Sequence, residues 1–554
     1  MSKPKGRLEL TWMGKDQALI SSEDGKYSYD WVDPTDPRAS EVKPIRITST
    51  YGENPGDNLL ITGDSGDALR SLVAVPEWAD KYRGKVQMVY ADPPYNTSQA
   101  FDHYADALEH SVWLTMMRDR LTLLKTLMSD EGTIWVHIDD AEMPYARVLL
   151  DEIFGRQNHI GQIVLEMNPK GRQLSKFFAR SHEYLLVYCK RAEKVQLRTG
   201  LAEDVSLHDY PERDHEGTPY RLIRFRNTNK RFTPANRPNL AYPVYANPTT
   251  GEVRLNPFDG ATEVRPIFGD GSPAVWRWGK PKAEEQISEL HARIVNGREG
   301  IRTDVFQIDK LHMDKTKKLR TIWNGEAVGH IDVAKSEIRT LFPDSGQGFD
   351  TPKPEKLLAR IIALSTDEGD IVLDCFSGSG TTIATAHKLR RRWVGVELLE
   401  STVRTFIEPR VKKIVDNHDL GGVTEASSWT GGGGYSTAVM SPSMYEVLDG
   451  EIYLSENATN ETFATAIAGQ LGYRLTVGAP VFCGIKGRSK LAVIDGVADE
   501  NVIRAVLQNL GDGYKALVVA KGVLPEAAQL LRDLSSGSRI RLVPEDLFAK
   551  GTVK

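Results

Sequence analysis

VLDCFSGSGTT (residues 372–382) runs an apolar strand straight into Gly378 and Gly380 and then into a helix. Two glycines at such a strand-to-helix turn let the backbone pass close to a ligand held at the helix N-terminus. RRWVGVE follows as the next strand and ends on Glu397, about the interval at which a nucleotide-binding sheet places its ribose-binding carboxylate. The pair indicates an α/β chain with a Rossmann-like, doubly wound sheet and a nucleoside-containing cofactor. No Lys follows the glycines and GxxxxGK[ST] occurs nowhere, which excludes a P-loop nucleotidase. Gly378, Gly380 and Glu397 partly imitate a dinucleotide fingerprint, so NAD stays open as a ligand, although Ile383 stands at the third glycine position.

A second strand, VYADPPYNT (residues 89–97), ends in Asp92, Pro93, Pro94 and Tyr95. The prolines fix φ and remove two backbone donors, which makes the turn rich in acceptors. An adenine or cytosine amino group is a weak nucleophile because its lone pair is delocalised into the ring. The Asp92 carboxylate and the Pro93 carbonyl could hold its two N–H bonds and aim the lone pair at a methyl donor. Tyr95 offers an aromatic face to a base turned out of the duplex. The plainer reading is a strand-ending turn beside a core tyrosine.

Outward from these motifs, the chain divides into six segments. Residues 1–55, with WVDPTDPRASEVKP, read as an extended arm. Residues 56–195 hold the βαβ pattern NLLITGD, DALRSLVAV, VQMVYAD, then a helix with Trp113, Met117, Leu121, Leu124 and Met128 on one face, the strand GTIWVHI and the helix AEMPYARVLLDEIF. The alternation stops over 196–337, an inserted domain, and resumes over 338–425. Residues 426–439 (ASSWTGGGGYSTAV) read as a glycine-rich linker, and 440–554 as a small C-terminal α/β domain. At 40% hydrophobic and 26% charged residues the chain is neither disordered nor fibrous. It has no apolar run long enough to span a membrane and begins MSKPKGRLEL without a signal core, so a cytoplasmic protein is expected. Cys189, Cys375 and Cys483 form no CxxC pair, and no metal site is expected.

ADPPYNT and DCFSGSGTT together resemble the catalytic and cofactor motifs of amino-directed DNA methyltransferases. The catalytic motif comes first, as in the permuted β class, and the likeness extends through LITGD, HSVWLTMMRDRL, GTIWVHIDD, SHEYLLVYCK and FDTPKPEKLLARIIALS. Within that class the chain most resembles the Mod (modification) subunits of Type III restriction systems. The resemblance implies S-adenosylmethionine as cofactor and adenine N6 as target, with cytosine N4 the alternative; an NAD-linked oxidoreductase built on the glycine loop and a DNA-binding module whose methylation site has decayed are the less favoured readings. It implies catalysis at Asp92, Pro93, Pro94 and Tyr95. It implies cofactor contacts from Asp64, Lys353, Pro354, Asp374, Phe376, Gly378, Gly380, Thr381 and Glu397. Cys375 and Ser377 depart from the Phe and Ala of many relatives, but both are small. Cytosine C5 chemistry is unlike this chain, since no cysteine follows a proline.

In the insertion, YRLIRFRNTNKRFTPANRP carries Arg221, Arg224, Arg226, Lys230, Arg231 and Arg237 among Tyr220, Phe225 and Phe232, with no acidic residue. That mixture suits phosphate contact, base readout and stacking, with a solvated basic face as the alternative. NPKGRQLSKFFARSH adds Lys170 and Arg172 to the expected path of double-stranded DNA. The Mod resemblance also implies a homodimer and a separate ATP-dependent restriction subunit as partners.

Overall fold

The computed structural model describes residues 8–21, 28–96, 99–100, 105–106, 109–171, 177–198, 210–297, 300–311, 319–343, 348–448, 451–476 and 481–543. The chain forms two compact units, one of residues 1–198 with 320–554 and one of residues 199–319.

The larger unit is built on a ten-stranded sheet. In chain order its strands are β1 (Ile45–Gly52), β2 (Leu59–Thr62), β3 (Val86–Ala91), β4 (Met128–Ile138), β5 (His159–Glu166), β6 (His182–Cys189), β7 (Ile322–Trp323), β8 (Ile371–Asp374), β9 (Arg392–Glu397) and β10 (Gly434–Met440), and in space they lie 7-5-6-4-3-8-9-2-10-1. The six from β4 to β10 run parallel, while β6 is antiparallel to β4 and β1 to β10. Leu59, Leu60, Ile61, Val86, Met88, Val89, Val372, Leu373, Val394 and Val396 are buried, as strands covered on both faces require.

Helices α1 (Ser65–Ala74), α2 (His110–Leu127), α3 (Met143–Phe154), α4 (Ile331–Leu341), α5 (Glu355–Ser365) and α6 (Thr381–Lys388) connect or cover these strands. Helix α2 starts where Glu109 accepts the Ser111 and Val112 N–H groups, and it buries Trp113, Met117, Leu121 and Leu124. Met128, expected on that face, instead begins β4.

Connections leave β3 toward β4 and leave β8 toward β9, in opposite directions along the sheet. Strands β3 and β8 are neighbours, with Tyr90 opposite Asp374. A doubly wound sheet opens its ligand crevice at such a reversal, outside the carboxyl ends of the strands. Both sequence motifs therefore emerge at the same opening.

Three segment readings are corrected. The insertion, expected over 196–337, is the 199–319 unit, because Ile322–Trp323 pairs with β5 as strand β7 of the large sheet. Gly434–Met440, expected in a linker, is β10, set between β2 and β1. Gly434 is there for closeness: a Cβ on it would lie 2.4 Å from the Tyr51 carbonyl oxygen and 2.5 Å from that of Glu53. The arm of residues 1–55 also contributes an edge strand, β1, and its Trp12 Nε1 donates to Thr115 Oγ1 at 2.8 Å. Downstream, five strands from Arg474 to Leu542 form a separate sheet, with Ser489–Ala498, Lys515–Val523 and Arg539–Leu542 parallel and helices Glu500–Gln508 and Pro525–Leu534 between them.

The 199–319 unit is antiparallel. One sheet orders Glu212–Arg213, Pro219–Arg224, Gly300–Lys310 and Leu290–Gly297, and a three-stranded sheet holds Val244–Ala246, Val253–Arg254 and Thr262–Val264. Among the described residues no helix is long and apolar enough to cross a membrane.

Candidate active site

The crevice beyond β3 and β8 is a cleft of about 1320 Å³, its open mouth included. Asp92, Pro93, Pro94 and Tyr95 line it from one strand end, and Asp374, Phe376, Gly378, Thr381 and Glu397 from the others.

The DPPY turn is held from below. Trp113 Nε1 donates to the Pro94 carbonyl at 2.7 Å, and Asn96, at φ 58°, closes the turn with its amide on Glu142 Oε1 at 2.8 Å. Among the described residues no N–H reaches the Pro93 carbonyl, so that acceptor is left to the cleft. Tyr95 hydroxyl lies 2.9 Å from Asp92 Oδ1 and 3.1 Å from Glu183 Oε2. Lys353 Nζ is 3.0 Å from Asp92 Oδ2, 3.8 Å from Glu183 Oε2 and 4.9 Å from the centre of the Tyr95 ring. Burial alone would raise the Glu183 carboxyl, but Lys353, His137 and the Tyr95 hydroxyl outweigh it and hold it at about 2.

Across the cleft the glycine loop is shaped by its backbone. Gly378 and Gly380 have φ of 51° and 76°, and a Cβ on Gly378 would press to 3.3 Å from Phe349 Cζ. Gly380 caps α6 from beneath the loop, where a Cβ would meet Ile407 Cγ2 at 3.0 Å, and it does not line the cleft. The buried Arg410 donates to the Ser379 carbonyl and Thr381 Oγ1, at 3.1 and 3.0 Å, and to Glu355 Oε1 at 2.9 Å. Lys388 joins the same buried Glu355 at 2.9 Å and Asp419 at 2.7 Å. This charge cluster anchors the loop to α5.

Two carboxyls face the cleft with little compensation. Burial pushes Glu397 up to about 7 despite N–H bonds from Leu399 and Gly378. It pushes Asp374 up to about 7 despite bonds from Thr382 and the Phe376 N–H. Burial also raises the Cys375 thiol, which lies just past the end of β8, in keeping with a core residue rather than a nucleophile.

Other expected cofactor contacts fall elsewhere. Asp64 caps α1 by accepting the Gly66 N–H and takes Arg120 Nη2 at 2.6 Å, so its carboxylate is committed to structure and does not line the cleft. Pro354 sits at the N-terminus of α5, behind Lys353. Sequence reasoning passed over Glu183, His137, Phe349 and Thr402. The first two lay inside the quoted SHEYLLVYCK and GTIWVHIDD stretches, where a polar pair among apolar strand residues was the available signal.

The basic residues of the insertion separate into two kinds. Arg226 is 6% exposed, with its guanidinium 5.0 Å from the centre of Phe268, and Phe225 is buried against Trp276 with ring centres 4.9 Å apart. Both are core, corrected from their expected place at a DNA surface: Phe225 packs among Tyr242, Trp276 and Trp278, and Arg226 lies against the buried Phe268. Arg221 pairs with Asp309 at 2.7 Å and Lys230 with Asp270 at 2.7 Å. Arg224, Arg231 and Arg237 are exposed. In the larger unit Lys170 is exposed and pairs with Asp332 at 3.0 Å, and Arg172 lies outside the described residues.

A family model described as "DNA methylase", N6_N4_Mtase, matches residues 86–408. The chain is 30% identical over 427 residues to the "Probable type III restriction-modification enzyme HindVI Mod subunit" of Haemophilus influenzae, covering 70% of this chain and 54% of that protein. It is 33% identical over 326 residues to the "Type II methyltransferase M.KpnI" of Klebsiella pneumoniae, covering 57% of this chain and 74% of that one. With the EcoPI Mod subunit of Escherichia phage P1 it shares 27% identity over 68% of this chain and 60% of that protein. The chain thus spans little more than half the length of the Mod subunits it matches.

Proposed function

This chain belongs to the N6_N4 DNA methylase family, and from that premise we propose that it transfers a methyl group from S-adenosylmethionine to adenine N6 in double-stranded DNA, as the modification component of a restriction-modification system. The observation that carries the reading is the shared cleft: an acceptor turn and a glycine loop, brought together at the switch point of one sheet.

The cleft suits a nucleoside-bearing cofactor. Thr402 Oγ1 is buried at its wall and has no hydrogen-bond partner among the described residues, and Glu397 offers a carboxylate for ribose hydroxyls. Asp374, Phe376, Gly378, Thr381 and Thr402 would hold the remainder. When bound, the cofactor supplies an electrophilic methyl group.

The protein's own residues prepare the nucleophile. A base turned into the cleft meets the Tyr95 ring and gives its amino N–H bonds to Asp92 and the Pro93 carbonyl. Accepting both protons localises the lone pair on nitrogen and fixes its direction. Asp92 then receives the proton that the alkylated nitrogen sheds. Depth in the cleft keeps water from competing. The Mod relatives favour adenine over cytosine N4.

Arg224, Arg231 and Arg237, all exposed, are the phosphate contacts best placed in the insertion, with the exposed Lys170 on the catalytic unit. The segment after Met440 is assigned to contact with a second copy or with a separate ATP-dependent restriction subunit. Tritium transfer from labelled S-adenosylmethionine to mixed-sequence DNA tests the activity, and long-read sequencing of DNA from an expressing host reports base and context together. Label that stays off DNA, or methyl marks confined to cytosine, would overturn the corresponding part of the assignment.

A further inference from the structure

Lys353 stands where the target belongs. Its ammonium lies 3.0 Å from Asp92 Oδ2 and 4.9 Å above the Tyr95 ring. Those are the acceptor and the aromatic face by which a flipped base would be held. The lysine is buried, 8% exposed, so it cannot leave Asp92 for open water without uncovering a charge in a low-dielectric site. A second carboxylate is within reach. Glu183 Oε2 is 3.8 Å from the same ammonium and shares the Tyr95 hydroxyl with Asp92.

We propose that Lys353 is a placeholder for the target amino group and that Glu183 is a positioning residue to which the ammonium shifts when the base enters. The exchange breaks no covalent bond. One N–H donor on Asp92 is replaced by another, and the buried lysine keeps a counter-ion throughout. Glu183 is suited to that service: His137 Nε2 sits 2.7 Å from its carboxylate, and it is held ionised in the resting protein. Until a base arrives, the arrangement keeps the Asp92 carboxylate satisfied and Tyr95 oriented by two partners. The inference rests on the methyltransferase reading.

Its test uses the full chain without cofactor, on a duplex carrying the recognition sequence found by sequencing. A 2-aminopurine placed next to the target adenine preserves the target's amino group and brightens when the target leaves the stack. Wild-type protein should brighten it. Glu183→Gln keeps an oxygen for the Tyr95 hydroxyl but removes the counter-ion, so the brightening should fall about tenfold. Duplex affinity by anisotropy and S-adenosylmethionine affinity by calorimetry should stay within about twofold. Adding Lys353→Met to Glu183→Gln should restore the signal, because no ammonium then competes for Asp92. Lys353→Met alone should brighten the probe at least as strongly as wild type, which keeps the idea testable if Glu183→Gln folds poorly. Undiminished brightening in Glu183→Gln, no recovery in the double variant, or a dim Lys353→Met protein would each overturn the placeholder role. A wild-type chain that methylates no duplex would instead remove the methyltransferase reading, before any variant is compared.

Discussion

Glu397 accepts the Gly378 backbone N–H at 2.9 Å, which ties the end of β9 to the glycine loop that follows β8. The carboxyl is raised to about 7 by burial, so in the cofactor-free protein it favours the protonated form. A raised folded value means its contribution to stability is fully present below the ordinary glutamate range and is lost as pH rises through about 7. Ribose hydroxyls donate to the ionised form. S-adenosylmethionine affinity should therefore rise with pH between 6 and 8, by up to about tenfold per unit on the acid side, and flatten above. Calorimetry across that range checks it, with Glu397→Gln binding weakly and with less pH dependence. Equal affinity at pH 6 and 8 in wild type would sink the assignment.

Asp92→Ala should lower methyl transfer by far more than tenfold, a loss beyond ~1.4 kcal/mol, with cofactor affinity nearly unchanged. The substitution leaves Lys353 with Glu183 as counter-ion, so folding should survive. Single-turnover rates and calorimetry separate the two effects. Retention of a tenth of wild-type turnover would contradict Asp92 as the acceptor.

Replacing Arg224, Arg231 and Arg237 together with Ala should weaken DNA binding and flatten its dependence on salt, since each lost phosphate contact removes released counterions. Arg226→Ala should behave differently. It vacates a buried place against Phe268 and should lower the melting temperature while leaving the salt slope alone. If Arg226→Ala changed the slope and the triple variant did not, the surface and core assignments would have to be exchanged.

Glu355 is the hub on which both Lys388 and Arg410 converge, 0% exposed each at the side chain. Glu355→Ala strands the buried Arg410, leaves Lys388 with Asp419 alone as counter-ion, and should cost about 3–5 kcal/mol in urea unfolding. The glycine loop should loosen with it, through the Arg410 bond to the Ser379 carbonyl. A loss under ~1 kcal/mol would mean that Asp419 alone carries the cluster.

A chain ended at Gly434 loses β10 from between β2 and β1 and should aggregate. Ended at Ser441 it keeps that strand, though Glu41 loses its bonds from Ser443 and the Met444 N–H. The longer form should fold and bind S-adenosylmethionine, yet run as a smaller assembly on a sizing column or fail to retain a restriction subunit. Soluble, cofactor-binding protein ended at Gly434 would show β10 to be dispensable, and unchanged assembly of the longer form would end the contact role.

Local chemistry made much of this protein legible from its residues. Gly378 and Gly380 announced a tight strand-to-helix turn because only glycine accepts those φ values cheaply. Asp92, Pro93 and Tyr95 announced an acceptor turn because proline fixes its own geometry. Periods of apolar residues located α2, α5 and the parallel strands, whose burial follows from their own side chains. Tertiary structure decided the rest, because those questions turn on which distant segments meet. Asp64 looked the same in sequence whether it faced a cofactor or capped α1 for Arg120. Arg224 and Arg226 are two residues apart, yet only one reaches solvent, since the strand Pro219–Arg224 ends at the first and the chain beyond it turns Arg226 in against Phe268. The glycine run read as slack chain until Gly434 was seen pressed against Tyr51. Glu183 showed in sequence only as a polar residue in an apolar strand until β6 packed beside β4 and brought its carboxylate to Tyr95 and Lys353. Burial and charge pairing act through space, so the sequence determined the parts of the site, and only the folded sheet determined which of them share a proton, a cation or a ligand.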